Sequence, residues 1–257
     1  MKMNFYKYQG TGNDFVMIDN RQNKIDKSDL KLVAKLCDRK FGIGADGLIL
    51  IENHPEVDFD MIYFNADGTK SFCGNGSRCA VAFANYLGII ENKTTFNAID
   101  GIHEATINRE LIELKMGDVS NVEQGQDYFF IETGSPHYIQ YTASVQEIEI
   151  VPTAHKVRYN ERFKEKGTNV NFVQKVGETL EMRTYERGVE DETLSCGTGA
   201  TAVALSGAIK HGLTSPVAIK VQGGDLQIKF NQISDNEFDN IWLIGKGEQV
   251  YSGEMTV

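Results

Sequence analysis

Hydrophobic positions follow a programme that the chain runs through twice. Residues 5–19 read apolar, turn, apolar, with the turn at Gly10-Thr11-Gly12-Asn13-Asp14, and predict strand, loop, strand. After Ser28, the positions Leu30, Val33, Ala34 and Cys37 recur at helical spacing, which predicts a helix capped by that serine with Cys37 in its packed stripe. Strands follow at 48–51 and 59–64, the second ending in the turn Asn65-Ala66-Asp67-Gly68. From Asn75 to Leu87 the period is again helical, with Ala80, Phe83, Ala84 and Leu87 on the buried side and Gly88 as the stop. Short alternating strands at 95–99, 103–107 and 111–115 form antiparallel meander material.

The second half repeats this order. Strands are expected at 128–132 and 138–141 on either side of a turn, Gly134-Ser135-Pro136-His137. A helix lies within 144–159, and strands at 170–173 and 182–185 lead to Glu186-Arg187-Gly188. The helix from Thr198 to His211 is small-sided, so neighbours must wrap it closely, and Gly212 ends it. Strands at 217–221, 226–230 and 240–244 close a second meander. Gly134 follows Gly12 by 122 residues, and Gly224 follows Gly101 by 123. The fold expected is α+β: two pseudo-symmetric lobes, each a curved, mainly antiparallel sheet around a central helix.

The repeat gives two cysteines a common setting. Ser71-Phe72-Cys73-Gly74-Asn75-Gly76-Ser77 and Leu194-Ser195-Cys196-Gly197-Thr198-Gly199-Ala200 each end a strand or loop in a cysteine and open a helix through Gly-x-Gly. A thiol there meets unpaired backbone N–H groups and the positive end of the helix dipole, both of which favour the thiolate. Alone, either cysteine is better explained as a small residue at a crowded turn. Two of them, 123 residues apart, suggest thiols facing each other across a pseudo-symmetric cleft. A thiolate on one face of a carbon and a thiol on the other are what inversion needs. Backbone N–H groups of Gly74 with Asn75, and of Gly197 with Thr198, could hold a carboxylate that gains charge in a carbanionic transition state.

Composition narrows the partner. A formal net charge of −10 and a pI near 5.0, with no basic block, argue against nucleic acid or an anionic membrane and leave a small-molecule substrate. The hydrophobic fraction of 41% is that of a globular chain, and no stretch approaches a signal peptide or membrane span, so the expectation is cytoplasmic. Four cysteines without a Cys-x-x-Cys pair suggest neither a disulfide framework nor a metal site, and no pyridoxal site is recognisable. Gly42-Ile43-Gly44-Ala45-Asp46-Gly47 matches a dinucleotide fingerprint by letter, but it follows a helix and leads into a strand, the reverse of the required context. A cysteine hydrolase with His137 as partner would leave one thiol without a role.

Seven segments, in this order and spacing, resemble the cofactor-independent diaminopimelate epimerases over essentially the whole chain. They are Gly10-Thr11-Gly12-Asn13-Asp14-Phe15, Gly42-Ile43-Gly44-Ala45-Asp46, Phe64-Asn65-Ala66-Asp67-Gly68, Cys73-Gly74-Asn75-Gly76, Pro136-His137, Tyr185-Glu186-Arg187-Gly188 and Cys196-Gly197-Thr198-Gly199. The resemblance implies epimerisation of LL-2,6-diaminopimelate to the meso form in lysine and peptidoglycan synthesis, without cofactor, by a homodimer. It makes Cys73 and Cys196 the acid/base residues and Asn13, Asn65, Asn169, Glu186 and Arg187 substrate ligands, with Gly74-Asn75 and Gly197-Thr198 on the reacting carboxylate. Arg187 suits a distal carboxylate through its bidentate geometry, and Glu186 an ammonium group, although by themselves the two would read as a solvated ion pair. Some members carry glutamine where this chain has Gly47, and often asparagine where it has Ser135, the counterpart of Asn13. A proline racemase is similar only at the second Cys-Gly-Thr-Gly, and its substrate lacks the second polar head. A phenazine-biosynthesis isomerase lacks the two thiols. A non-catalytic amino-acid-binding protein would use the cysteines for packing alone. The resemblance places the last strand back in the first lobe, giving residues 1–118 plus 246–257 and residues 119–245 as the two domains.

Overall fold

A computed structural model describes residues 2–256. The chain divides into two compact units, one running up to Leu114 together with Gly245 onward, the other Lys115–Ile244. In the first, β1 (Lys2–Gly10) and β2 (Asn13–Asp19) form an antiparallel hairpin. Its two-residue loop holds Thr11 at φ 49° and Gly12 at φ 86°, the left-handed pair that a type I′ turn requires. Helix α1 (Leu30–Cys37) carries the chain over so that β3 (Gly47–Glu52) pairs parallel with β2, Phe15 opposite Gly47. β4 (Phe59–Asn65) then runs antiparallel to β3, with Asn65 opposite Gly47. After helix α2 (Gly74–Tyr86), β5 (Lys93–Ala98) joins β4 in parallel, and β6 (Gly101–Asn108) and β7 (Leu111–Lys115) complete a meander.

Two cores explain the hydrophobic pattern. Val16, Ile18, Leu48 and Leu50 pack on one face with Val33, Leu36 and Cys37 of α1. On the other face Phe15, Ile49 and Met61 lie against Gly76 of α2. β3 is therefore buried at all six positions and reads as a continuous apolar run instead of an alternation.

The second unit opens with β8 (Val122–Gln124), β9 (Phe129–Glu132) and β10 (Pro136–Tyr141), and α3 (Ile150–Arg158) leads to β11 (Asn169–Val176), parallel to β10. β12 (Thr179–Glu186) and β13 (Asp191–Thr193) precede α4 (Gly197–His211), and β14 (Val217–Val221), β15 (Gly224–Ser234) and β16 (Glu237–Lys246) form the meander. The repeat extends to register. Phe15 opposite Gly47 and His137 opposite Asn169 are the same pairing 122 residues apart. Thr94 opposite Ala105 and Val217 opposite Ile228 are the same pairing 123 apart. The last strand, β17 (Glu248–Thr256), belongs to the first unit and runs antiparallel to β1. Each unit is an α+β lobe whose mainly antiparallel sheet surrounds one helix: α2 touches β1, β2, β3, β4, β6 and β17, and α4 touches β9, β10, β11, β12, β14 and β15. The small side chains of α4 make this possible, since a Cβ on Gly207 would stand 2.6 Å from Leu180 Cδ1.

The structure corrects several local expectations. Asp29, not Ser28, caps α1 by accepting the Leu32 N–H at 3.0 Å, because the Ser28 hydroxyl is bound to Asp26. The packed stripe of α1 is Val33, Leu36 and Cys37, and Leu30 and Ala34 face outward. Leu87 is only half-buried and follows α2 as its cap. Pro136 and His137 begin β10 instead of forming a turn. No helix among the described residues is long and apolar enough to cross a membrane.

Candidate active site

In the first unit the N-terminal ends of β2 and β3, the C-terminal end of β4 and the N-terminus of α2 bring polar groups to one end of the sheet. Cys73 is the N-cap of α2: its sulfur accepts the Gly76 N–H at 3.4 Å, and its thiol donates to Asn13 Oδ1 at 3.5 Å. Asn13 presents that oxygen because its Nδ2 donates to Asp46 Oδ2 at 2.6 Å. Asn65 accepts the Tyr63 hydroxyl at 2.8 Å on Oδ1, and its Nδ2 reaches Thr69 Oγ1 and Ser71 Oγ, two residues short of Cys73. The Asn75 side chain is buried and accepts from Arg78 Nη2 at 3.0 Å. Any ligand contact of Gly74 and Asn75 thus falls to backbone N–H groups of the first helical turn, which have no carbonyl within their own helix. The following Gly76 lets that turn seat itself on the sheet, since a Cβ there would meet Ile49 Cδ1 at 3.1 Å.

The second unit builds the same corner with different polar groups. Cys196 is the N-cap of α4, and its sulfur lies 3.4 Å from Thr198 Oγ1. A buried relay positions that hydroxyl. Asn171 Nδ2 donates both to the Tyr138 carbonyl at 3.2 Å and to His137 Nδ1 at 3.1 Å, so the imidazole carries its proton on Nε2. That N–H donates to Thr198 Oγ1 at 2.9 Å, the same hydroxyl that lies against the Cys196 sulfur. Burial, and then the Arg187 charge, lower the His137 pKa to about 3, so the ring stays neutral. Gly199 admits the relay: a Cβ there would lie 2.8 Å from Asn171 Oδ1.

Around this corner, Asn169 receives the Arg187 backbone N–H at 2.8 Å and donates to Ser135 Oγ at 2.9 Å. Arg187 is exposed, reaches Ser135 Oγ and the Lys166 carbonyl, and has no carboxylate at ion-pair distance among the described residues. It does not pair with Glu186, whose carboxylate accepts from Thr193 at 2.9 Å. Burial raises the Glu186 pKa against that hydrogen bond, an environment that an ammonium group would relieve.

Each unit therefore gathers its own share of the expected residues: Asn13, Asn65, Cys73, Gly74 and Asn75 in one, and Asn169, Glu186, Arg187, Cys196, Gly197 and Thr198 in the other. Cys37 and Cys79 are buried elsewhere, and burial pushes the Cys37 thiol up to about 11 and the Cys79 thiol further up. Among the described residues no cluster of three or more His, Cys, Asp or Glu side chains could hold a metal. Sequence patterning passed over Tyr63, Arg78 and Asn171. The signal for Asn171 was there, a second polar residue at the inward period-two position of Asn169-Val170-Asn171-Phe172.

Comparison with known proteins bears on the whole chain. The family model for diaminopimelate epimerase matches residues 5–122 and 129–248. A diaminopimelate epimerase of Flavobacterium psychrophilum is 51% identical over 97% of this chain and 98% of its own length. One from Aquifex aeolicus is 40% identical over 99% and 98%. Among solved structures, a phenazine biosynthesis protein of the PhzF family from Bacillus anthracis superposes over the full length of both chains with a TM-score of 0.74 at 13% identity. A probable proline racemase from Agrobacterium radiobacter covers 99% of this chain and 92% of its own with a TM-score of 0.65 at 14% identity. At these identities the structural likeness speaks for the shared fold alone.

Proposed function

The chain belongs to the diaminopimelate epimerase family, and from that premise we propose that it inverts one α-carbon of 2,6-diaminopimelate, interconverting the LL and meso forms, with Cys73 and Cys196 as its acid/base pair and no cofactor. The observation that supports this most is the duplicated setting of the two cysteines, each the N-cap of the helix at the centre of its unit. One sulfur, as thiolate, takes the proton from the α-carbon and becomes a thiol. The other, as thiol, gives its proton to the opposite face of the carbanion and becomes the thiolate. No electrons are transferred and the protons balance, so the reverse reaction starts from the product state of the forward one.

Backbone N–H groups of Gly74, Asn75, Gly197 and Thr198 hold the reacting carboxylate. Negative charge flows onto that carboxylate as the proton leaves, so these fixed donors stabilise the transition state more than the ground state. The distal head has its own ligands: Arg187 for the carboxylate, Glu186 for an ammonium, and Asn13, Asn65 and Asn169 for the remaining polar atoms. Such an enzyme serves lysine and peptidoglycan synthesis, and its acid/base thiols suit the reducing cytoplasm. We place it there as a homodimer, which sedimentation would report as twice the 28.7 kDa chain mass.

The test is isotopic. Purified, reduced protein in deuterated water should exchange the α-hydrogen of LL-diaminopimelate while inverting that centre, and should leave proline unchanged. Cys73→Ala and Cys196→Ala should each abolish inversion. Inversion that persists in either variant overturns the two-thiol mechanism.

A further inference from the structure

Among the described residues the largest fully buried side chain is that of Arg78, in the second turn of α2. All its hydrogen bonds end on neutral oxygens: Nε on the Lys246 carbonyl at 3.3 Å, Nη1 on the Gly74 carbonyl at 3.4 Å, and Nη2 on Thr11 Oγ1 at 3.1 Å and Asn75 Oδ1 at 3.0 Å. No carboxylate among the described residues lies at ion-pair distance from it. Burial disfavours the charge, yet a guanidinium does not give up its proton in a protein, and a buried ion without a counter-charge is costly. The fold therefore tolerates a positive charge that no carboxylate neutralises.

The titratable groups around it narrow what could. On β1, the Tyr8 phenol is pushed up by burial and stays neutral. On α2 itself, the Cys79 thiol is pushed up in the same way. On β17, the Glu248 carboxylate is engaged by Gln9 Nε2 at 2.6 Å and Lys246 Nζ at 3.2 Å. The Lys246 ammonium adds only a further cation, itself bridged to Glu110 at 3.0 Å. What remains is Cys73, which feels the guanidinium's field and caps the same helix. The second unit lacks the device: the position 123 residues on is Thr201, whose hydroxyl turns back to the Gly197 carbonyl at 3.0 Å.

We infer that Arg78 is a positioning residue for Cys73, a buried cation that stabilises this sulfur once it gives up the hydrogen it directs to Asn13 Oδ1, with Thr201 at the equivalent position of α4. The two cysteines are then alike in their place in the fold and unlike in electrostatics: a fixed cation serves one, a neutral histidine relay the other. The Asn75 side chain, bound by the same guanidinium, holds the first turn of α2 in place. The inference rests on the proposed reading of Cys73 as an acid/base group and names what stabilises its thiolate form.

Iodoacetamide reads the sulfur directly, because only the thiolate reacts. Labelling of Cys73 and Cys196 is followed separately by peptide mass analysis over a range of pH in wild type, Arg78→Gln and Arg78→Lys. Arg78→Gln should slow Cys73 labelling at neutral pH by about tenfold, the equivalent of one pH unit. The pH of half-maximal labelling should rise, Cys196 should change by less than about twofold, and Arg78→Lys should retain most of the wild-type rate. An unchanged Cys73 profile in folded Arg78→Gln overturns the inference. If circular dichroism shows that Arg78→Gln does not fold, Cys73→Ser with Arg78 intact gives a second reading. Serine does not ionise in this range, so the stability advantage of wild type should grow as pH rises toward the ordinary thiol pKa of about 8.5. An advantage independent of pH overturns the inference. Wild-type turnover of diaminopimelate is scored in parallel, so that loss of the epimerase reading and loss of the Arg78 reading have different signatures.

Discussion

The Tyr63 ring lies over Gly47 so closely that a Cβ on Gly47 would stand 2.4 Å from Tyr63 Cε2 and 2.5 Å from the Phe64 carbonyl oxygen. β3 and β4 produce this contact: Gly47 sits opposite Asn65, and Tyr63 is its diagonal neighbour on the same face. The phenol thus fills the space above Gly47 and donates to Asn65. Gly47→Ala must displace backbone as well as ring and should lower stability by about 1–3 kcal/mol in urea unfolding. Tyr63→Phe keeps the ring, should cost about 1 kcal/mol, and should raise KM for diaminopimelate by freeing the Asn65 amide. Gly47→Gln should be tolerated far better together with Tyr63→Ala than alone, and strict additivity of the two changes would count against this packing account.

Lys7 and Asp14 form an ion pair of 2.7 Å just behind the same corner, with Lys7 only 6% exposed and also bonded to the Gly44 carbonyl. Burial pushes the Asp14 carboxyl up, but hydrogen bonds from Arg39 and Lys7 outweigh it and hold the group below the ordinary carboxylate range. The two partners are not equivalent. Asp14→Asn strands a buried ammonium and should cost about 3 kcal/mol, whereas Lys7→Met leaves Asp14 paired with the more exposed Arg39 and should cost clearly less. Equal losses in a denaturant titration would remove the asymmetry.

How far such features could be read from the chain depended on their range. β2 and β3 announced themselves because each face of the sheet has a core against it there, the meanders because one face is buried and the other open, and α4 because only small residues fit inside a closed wrap. The slip in α1 has a local cause: Leu30 fits the helical stripe in spacing but lies at the first turn beside Gly68, where it stays 48% exposed. β8 and β13, three residues each, are too short to carry a period. Cys73 and Cys196 were legible through the duplication. Arg78 was not, since a charged residue within a helix ordinarily marks the solvent face, and only its packing against Thr11 and Asn75 reverses that reading.

Arg187 offers a test of the distal end of the proposed site. Its guanidinium is exposed and meets only Ser135 Oγ and the Lys166 carbonyl, so the fold gains little from it. Arg187→Lys should leave the melting temperature nearly unchanged, within the roughly ±0.5 kcal/mol of ordinary surface changes. Loss of the bidentate fork should nevertheless raise KM for diaminopimelate by about tenfold or more, with a smaller effect on kcat. An unchanged KM would place the distal carboxylate elsewhere.

The His137 relay makes a prediction about acid. In the native state the ring is neutral with a pKa lowered to about 3 by burial, while in the unfolded chain it titrates near the ordinary 6.5. Its contribution is therefore complete above pH 6.5 and is lost as pH falls toward the native value, because the unfolded state then binds the proton that the native state refuses. Within that window the stability of wild type should fall faster than that of His137→Gln, with the difference in slope approaching about 1.4 kcal/mol per pH unit. The carboxylates titrate alike in both proteins and cancel in the comparison. Parallel curves would mean that His137 accepts a proton inside the fold. Protonated, the ring would turn Nδ1 into a second donor against Asn171 Nδ2, and the hydrogen bond that sets the tautomer would be lost along with the orientation of Thr198 toward Cys196.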